Sequence, residues 1–240
     1  DYNMTGKMLL NKVNVEKQKV EIDGTEHAIK EEAFPTVNFD SGDIEDVYQL
    51  SEEEEQVMEG LRMAFVNSIR LRQHIEFLYQ KGSMYRIFNG NLLYHGCVPL
   101  KEDGTLKSVR LYGRSYKGKS LYEVLESYVR KGFYALNKKE KERGKDMMWY
   151  IWLSENSPLF GKDKMATFER YFLAEKETHK EKKNPYYNLL ENEKVINMIL
   201  KEFGLTEESA HIINGHVPVK VITGESPIKC NGKVLVIDGG

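Results

Sequence analysis

The sequence predicts an α+β chain, in which short strands closed by tight turns share one polypeptide with amphipathic helices. Three observations carry that expectation. Asp23-Gly24 and Asn89-Gly90 each stand between short strand-like runs, and such pairs accept the positive φ that a two-residue hairpin turn demands. Ser51 is followed three residues later by Glu54, the spacing of a capping box at a helix start. The closing stretches "HIINGHVPVK" and "KVLVIDGG" are β-branched runs punctuated by glycine, as core strands are.

Taken in order, "DYNMTGKMLLNKV" looks like the middle of a helix, and "KVEIDGTEHAI" is a hairpin turning at Asp23-Gly24. The acidic "PTVNFDSGDIEDVYQL" is an exposed connection; it offers Gly42-Asp43 and Asp46, and these are assigned to a loop. After Ser51, the residues Val57, Met58, Leu61, Ala64, Phe65, Ile75, Leu78 and Tyr79 follow the 3.6-residue period, so one helix is expected as far as Gly82, with His74 a structural residue on it. "MYRIFNGNLLYHGCVPL" is a second hairpin, whose returning strand ends at His95, Gly96 and, three residues on, Pro99. A third hairpin is expected around Asp103-Gly104, then a helix near Ser120–Leu136. In "MMWYIWLSENSPLFGK" the aromatic residues Trp149, Tyr150, Trp152 and Phe160 are assigned to the core. A last long helix, Tyr186 to Phe203, ends at Gly204. The chain thus divides into 1–100 (hairpin, long helix and strands to His95), a mainly helical stretch 101–204, and the strands of 205–240.

Composition narrows the function. Of 240 residues, 30 % are charged and 40 % hydrophobic, a balance suited to a globular protein with a substantial core. No apolar run approaches the ~20 residues of a membrane span, so no membrane partner is expected. Two cysteines, Cys97 and Cys230, make no disulfide framework and fit a reducing cytoplasm. Residues 1–100 hold 10 Lys/Arg against 17 Asp/Glu, whereas 101–183 hold 20 against 13 and 184–240 hold 5 against 7. The basic middle suits an anionic ligand such as a phosphorylated metabolite, or solvated helix faces; it lacks the basic blocks and interleaved aromatics of a nucleic-acid binder. The ends resemble no natural termini, and a piece of a longer protein is expected.

Two histidines end apolar strands in matching surroundings: "LLYHGCVP" and "INGHVPVK" place glycine beside His95 and His216, and each is followed by Val-Pro. Strand ends carry loops that build sites, and neighbouring glycine lets backbone approach closely. Two neutral imidazoles suit manganese, iron or zinc better than magnesium. The alternative is that both histidines merely finish turns.

The stretches "NGNLLYHGCVPL", "WYIWLSENSPLFGKDKMATFERYFLAEKETHKEKKNPYY" and "HIINGHVPVKVITGESPIKCNGKVLVIDGG" closely resemble the bacterial class 3 fructose-1,6-bisphosphatases, and the resemblance runs through nearly the whole chain. It implies a manganese-dependent phosphatase on the calcineurin-like metallophosphoesterase fold, and here a partial β-sandwich with a mainly helical insertion. Two metals on the sandwich rim would activate a water that releases the 1-phosphate of fructose 1,6-bisphosphate, in gluconeogenesis. His95 matches the family's lone histidine ligand and His216 its final Gly-His, both on one metal; Pro218 stands where many members carry a further histidine. The upstream blocks Asp-x-His, Gly-Asp-x-x-Asp-Arg and Gly-Asn-His-Asp do not occur, so a fragment inactive on its own is expected. For the second phosphate the candidates are Lys162, Lys164 and Arg170, with Arg114, Lys117 and Lys119 behind them; solvated surface charges are the alternative. Glu155 and Asn156 are candidates to orient a substrate hydroxyl, and His179 is assigned to the surface rather than to acid catalysis. A homo-oligomer, or association with the missing N-terminal part, completes the expected partners. The rival assignments are a phosphatase of phosphoproteins or nucleotides, and a non-catalytic interaction domain that retains the two histidines.

Overall fold

A computed structural model describes residues 4, 6, 8–30, 33, 50–220, 222 and 224–238. These form a mixed α+β chain with six α-helices and three sheets among the described residues. The chain divides into two compact units: one comprises Asp1–Thr5, Ser83–Met165 and Glu181–Gly240, the other Gly6–Gly82 and Ala166–Lys180. The loop residues Asp43 and Asp46 lie outside the described residues.

The second unit holds a three-stranded antiparallel sheet of β1 (Val13–Asn14), β2 (Lys19–Ile22) and β3 (Thr25–Ala28). Its β2–β3 turn is at Asp23-Gly24, with φ of 50° and 78°, the left-handed pair that the sequence predicts. Val20, Ile22 and Ile29 cluster with Leu173, which follows α5 (Thr167–Phe172). The opening residues depart from expectation: Leu9–Lys12 form a short 3-10 turn, and Val13 pairs with Val20 as a strand. Cross-strand pairing of these valines overrides the local helical pattern.

The helix expected from Ser51 to Gly82 is two helices, α1 (Glu52–Val66) and α2 (Ile69–Lys81). The capping box forms as predicted, Ser51 Oγ accepting from Glu54 N and Glu54 Oε2 from Ser51 N. The break lies at Asn67-Ser68, where Ser68 turns its hydroxyl to the Leu71 amide at 3.2 Å and caps a fresh start. An apolar period continuing through the break conceals it, because a serine that caps and a serine on an exposed face read alike.

The first unit is built on a five-stranded sheet in the order β4 (Tyr85–Phe88), β5 (Asn91–Tyr94), β8 (His211–Asn214), β10 (Val234–Val236), β9 (Ile228–Lys229). The three central strands are parallel, with Leu93 opposite Ile213 and Asn214 opposite Val236; the edge strands β4 and β9 run antiparallel to them. Asn89-Gly90 closes β4–β5 with φ of 48° and 75°. Leu92, Ile212 and Val234 turn one face of this sheet to Val195, Ile196, Ile199 and Phe203, which belong to the last helix and its C-cap. α6 (Glu193–Glu202) is shorter than the helix expected from Tyr186: Pro185–Asn188 form a 3-10 turn, and Asn192 Oδ1 then accepts from Val195 N to begin the α-helix. It ends at Gly204, φ 87°, as predicted.

A second core in this unit joins α3 (Gly118–Tyr134) and α4 (Lys138–Leu153) to the ribbon β6 (Val109–Leu111) and β7 (Arg114–Tyr116). The two helices cross where Gly132 faces Gly144, so closely that a Cβ on either would meet the other's Cα. The expected turn at Asp103-Gly104 exists, bracketed by the bridge Leu100–Leu106, but the two-stranded ribbon itself reverses at Tyr112-Gly113. Tyr150 and Phe160 are buried as expected, whereas Trp152 is 65 % exposed, on the outward side of a helix whose buried positions are Gly144, Met147, Tyr150 and Ile151. Among the described residues no helix is long and apolar enough to cross a membrane.

Candidate functional site

Parallel pairing brings the two histidines together. In a parallel sheet neighbouring strands finish on the same edge, which is where ligands bind in α/β proteins. β5 runs into His95 and β8 runs through Gly215 into His216, so residues far apart in sequence arrive side by side. The two ends are tied: Gly215 N donates to His95 O at 2.9 Å, and Asn214 Nδ2 donates to Gly96 O at 3.1 Å.

Close approach explains Gly96. A Cβ there would fall on the carbonyl oxygen of Pro158 and lie 2.7 Å from that of Leu159. Pro158 O in turn accepts from Cys97 N at 2.8 Å, so the loop after α4 is drawn against the end of β5. Ser157 organises that loop, donating to Ile151 O and accepting from Leu159 N and Phe160 N.

His95 Nε2 and His216 Nδ1 lie 2.9 Å apart, with the rings at 66°. His216 Nε2 faces Phe160 O at 2.7 Å. A carbonyl only accepts, so Nε2 carries the proton and Nδ1 presents its lone pair; the shared hydrogen belongs to His95 Nε2. His216 sits at φ 70°, and Val217 N donates to Gly215 O at 2.9 Å across it. This is the rarer, strained γ-turn, a conformation that persists where its surroundings impose it. Burial holds the His216 imidazole below the usual histidine range; the Phe160 carbonyl and Asp238 oppose this, and the charges of His95 and Lys162 reinforce it. A neutral imidazole with one nitrogen anchored to a carbonyl is the form in which histidine binds metals.

The two imidazole nitrogens, 2.9 Å apart, would be neutral donors to one ion if the hydrogen they share were released. Among the described residues no group of three or more His, Cys, Asp and Glu side chains is placed to hold an ion. Asp238, which sequence reasoning did not single out, follows β10 to the same rim: Ile237 N donates to Asn214 O, and the Asp238 Cβ lies 3.5 Å from the Cβ position of Gly215. An acid directly after a β-branched run was its only signal.

Of the basic candidates, Lys162 pairs with Glu181 at 2.9 Å and lines a recess of about 290 Å³ together with Glu155 and Asn156. Lys164 is half-buried beside it in sequence, its amide donating to Asp163 Oδ1. Arg114 is exposed on β7. Arg170 belongs to the other unit, on α5, where its Nη2 donates to His179 O at 3.4 Å. His179 is half-buried with Nε2 3.0 Å from Leu173 O, and His74 is exposed on α2. Both cysteines are free and buried.

These features define an α+β chain that presents a paired-imidazole site at the carboxyl ends of parallel strands. Residues 1–240 match the family model described as Firmicute fructose-1,6-bisphosphatase, and the chain belongs to that family. Its curated relatives include proteins named fructose-1,6-bisphosphatase class 3 from Clostridium acetobutylicum, 51 % identical over 241 residues, from Clostridium novyi, 50 % over 241, and from Alkaliphilus metalliredigens, 50 % over 242. All of this chain is covered in each comparison, and it spans 36 % of the length of each relative. No solved structure matches the chain significantly.

Proposed function

We propose that this chain forms part of a metal-dependent phosphatase that hydrolyses fructose 1,6-bisphosphate to fructose 6-phosphate and phosphate, a cytoplasmic step of gluconeogenesis. Family membership supports the activity, and one observation carries the site: His95 Nε2 and His216 Nδ1 converge at 2.9 Å while Phe160 O locks the His216 tautomer. Mn²⁺ is the proposed metal, one of a pair in the active enzyme, with this chain giving ligands to a single ion on a metallophosphoesterase-type rim. Bound manganese supplies Lewis acidity and neutralises charge on phosphoryl oxygens.

The chain's own residues then have separable tasks. His216 offers Nδ1 because Nε2–H is held by Phe160 O. His95 would offer Nε2 from the neighbouring strand end once the hydrogen it shares with His216 Nδ1 has left that atom. Metal binding would thus be coupled to loss of a proton or a change of tautomer at His95. Lys162, whose charge reaches the His216 ring, draws the anionic substrate toward the pair; Lys164 and Arg114 are assigned supporting contacts to the second phosphate. Giving ligands to a single ion, the chain by itself is proposed to be inactive and to act with the remainder of such an enzyme, or as part of a homo-oligomer.

Manganese titration tests this directly. Mn²⁺ should broaden the ring resonances of His95 and His216 before those of His74 and His179. In the active phosphatase carrying this sequence, His95→Ala and His216→Ala should each lower manganese-dependent turnover by orders of magnitude. Near-normal turnover would remove the pair from the ligand set and favour a non-catalytic domain.

A further inference from the structure

A recess that begins two residues beyond Phe160, at Lys162, is lined by five lysines, Lys101, Lys107, Lys162, Lys182 and Lys183, and by Asn184. We infer that it is an anion subsite that seats the non-reacting phosphate of a bisphosphorylated sugar. This inference rests on the phosphatase function proposed above.

Backbone pairing creates the charge. Lys162 and Lys183 are bridged directly opposite one another in antiparallel register, secured by Asn184 N to Gly161 O and Asp163 N to Lys182 O, both 2.9 Å. Like charges placed directly opposite are destabilising; Glu181 offsets that of Lys162 at 2.9 Å, so the counter-charge still wanted is at Lys183. Three carboxylates share the lining, but two are engaged: Glu102 pairs with Lys182 at 3.1 Å, and Asp163 Oδ1 accepts from the amides of Lys164 and Lys182. Lys101, Lys107 and Lys183 form no salt bridge among the described residues.

Asn184 gives the recess a fixed donor. It is only 8 % exposed, and its Oδ1 accepts from Leu100 N at 3.1 Å and Tyr186 N at 3.0 Å. That oxygen being committed, the amide is left with Nδ2 to donate. A held N–H beside several ammonium groups suits a phosphate, which takes several charge-assisted hydrogen bonds at once. About 290 Å³ accommodates a phosphate and part of a sugar.

Position links the recess to the histidines. Phe160 O anchors His216, and Lys162, two residues on, lines the recess and acts on the same imidazole. A substrate with one phosphate at the pair would extend its other end along this segment.

The test is an NMR titration of the metal-free chain with inorganic phosphate, fructose 6-phosphate and fructose 1,6-bisphosphate, against chloride at equal ionic strength. Saturable shifts should appear at the Asn184 side-chain amide and at Lys162 and Lys183. A Lys107→Gln/Lys183→Gln variant, with unchanged circular dichroism, should weaken binding about tenfold or more. Shifts that track ionic strength alone, or that survive in the variant, overturn the subsite. If phosphate fails to bind while Mn²⁺ still binds His95 and His216, the recess assignment falls and the phosphatase function stands. If phosphate binds and Mn²⁺ does not, the outcome is reversed.

Discussion

The imidazole of His216 reaches across to the carbonyl of Phe160, 56 residues earlier in the chain, at 2.7 Å. That single bond decides which ring nitrogen is offered to the strand-end site. At neutral pH, ¹⁵N spectra should therefore show His216 as the Nε2–H tautomer, and His95→Ala should leave it so. An Nδ1–H tautomer would sink the assignment of Nδ1 as the metal-facing atom.

Gly96→Ala should be among the most damaging small substitutions in the chain. Its methyl would meet two backbone carbonyls, those of Pro158 and Leu159, neither of which can swing aside as a side chain can. A loss of about 1–3 kcal/mol is expected from such overpacking, read as a lowered urea midpoint. Gly90→Ala is a useful contrast, since its Cβ would meet nothing within 4 Å and only its φ of 75° resists.

Asn192→Ala should destabilise by about 1 kcal/mol. The side chain caps α6 through Val195 N, and α6 covers the central strands through Ile196 and Ile199. Urea denaturation measures the loss; Asn192→Asp or Asn192→Ser should recover most of it.

Cys97 should resist thiol reagents until the chain unfolds. Burial pushes its thiol from 9.0 up to about 12, and burial also raises Cys230. Both remain protonated at pH 8, and only the thiolate reacts. Because the folded value lies above the unfolded one, the stability held in the un-ionised Cys97 is present below pH 9 and is lost as the pH rises toward 12. Labelling rates with and without denaturant check the first point, and alkaline melting curves the second.

Much of this was legible in the residues because the signals are local. A capping box, two left-handed turn pairs and a C-terminal glycine each declare themselves within four positions, and all four formed where predicted. The histidine pair was legible through its repeated flanks. What escaped was tertiary. The parallel alignment of β5, β8 and β10 has no local signature, since a run such as Ile212-Ile213 pairs equally well in either direction. Lys107 and Lys183 are ordinary lysines until the Lys162–Lys183 bridge gathers them. The helix break at Ser68 and the exposure of Trp152 were hidden by apolar periodicity, which records what a face resembles and not what covers it.

The parallel pairing of β5 with β8 also bears on the order of folding. Leu92 and Ile212 pair across a connection of more than a hundred residues that holds α3, α4 and α6. Contacts of such long sequence separation carry a high loop-closure entropy and make a chain slow to fold. The imidazole contact, spanning 121 positions, should thus form among the last native contacts. Its ring signals would then report completed assembly, with no added label.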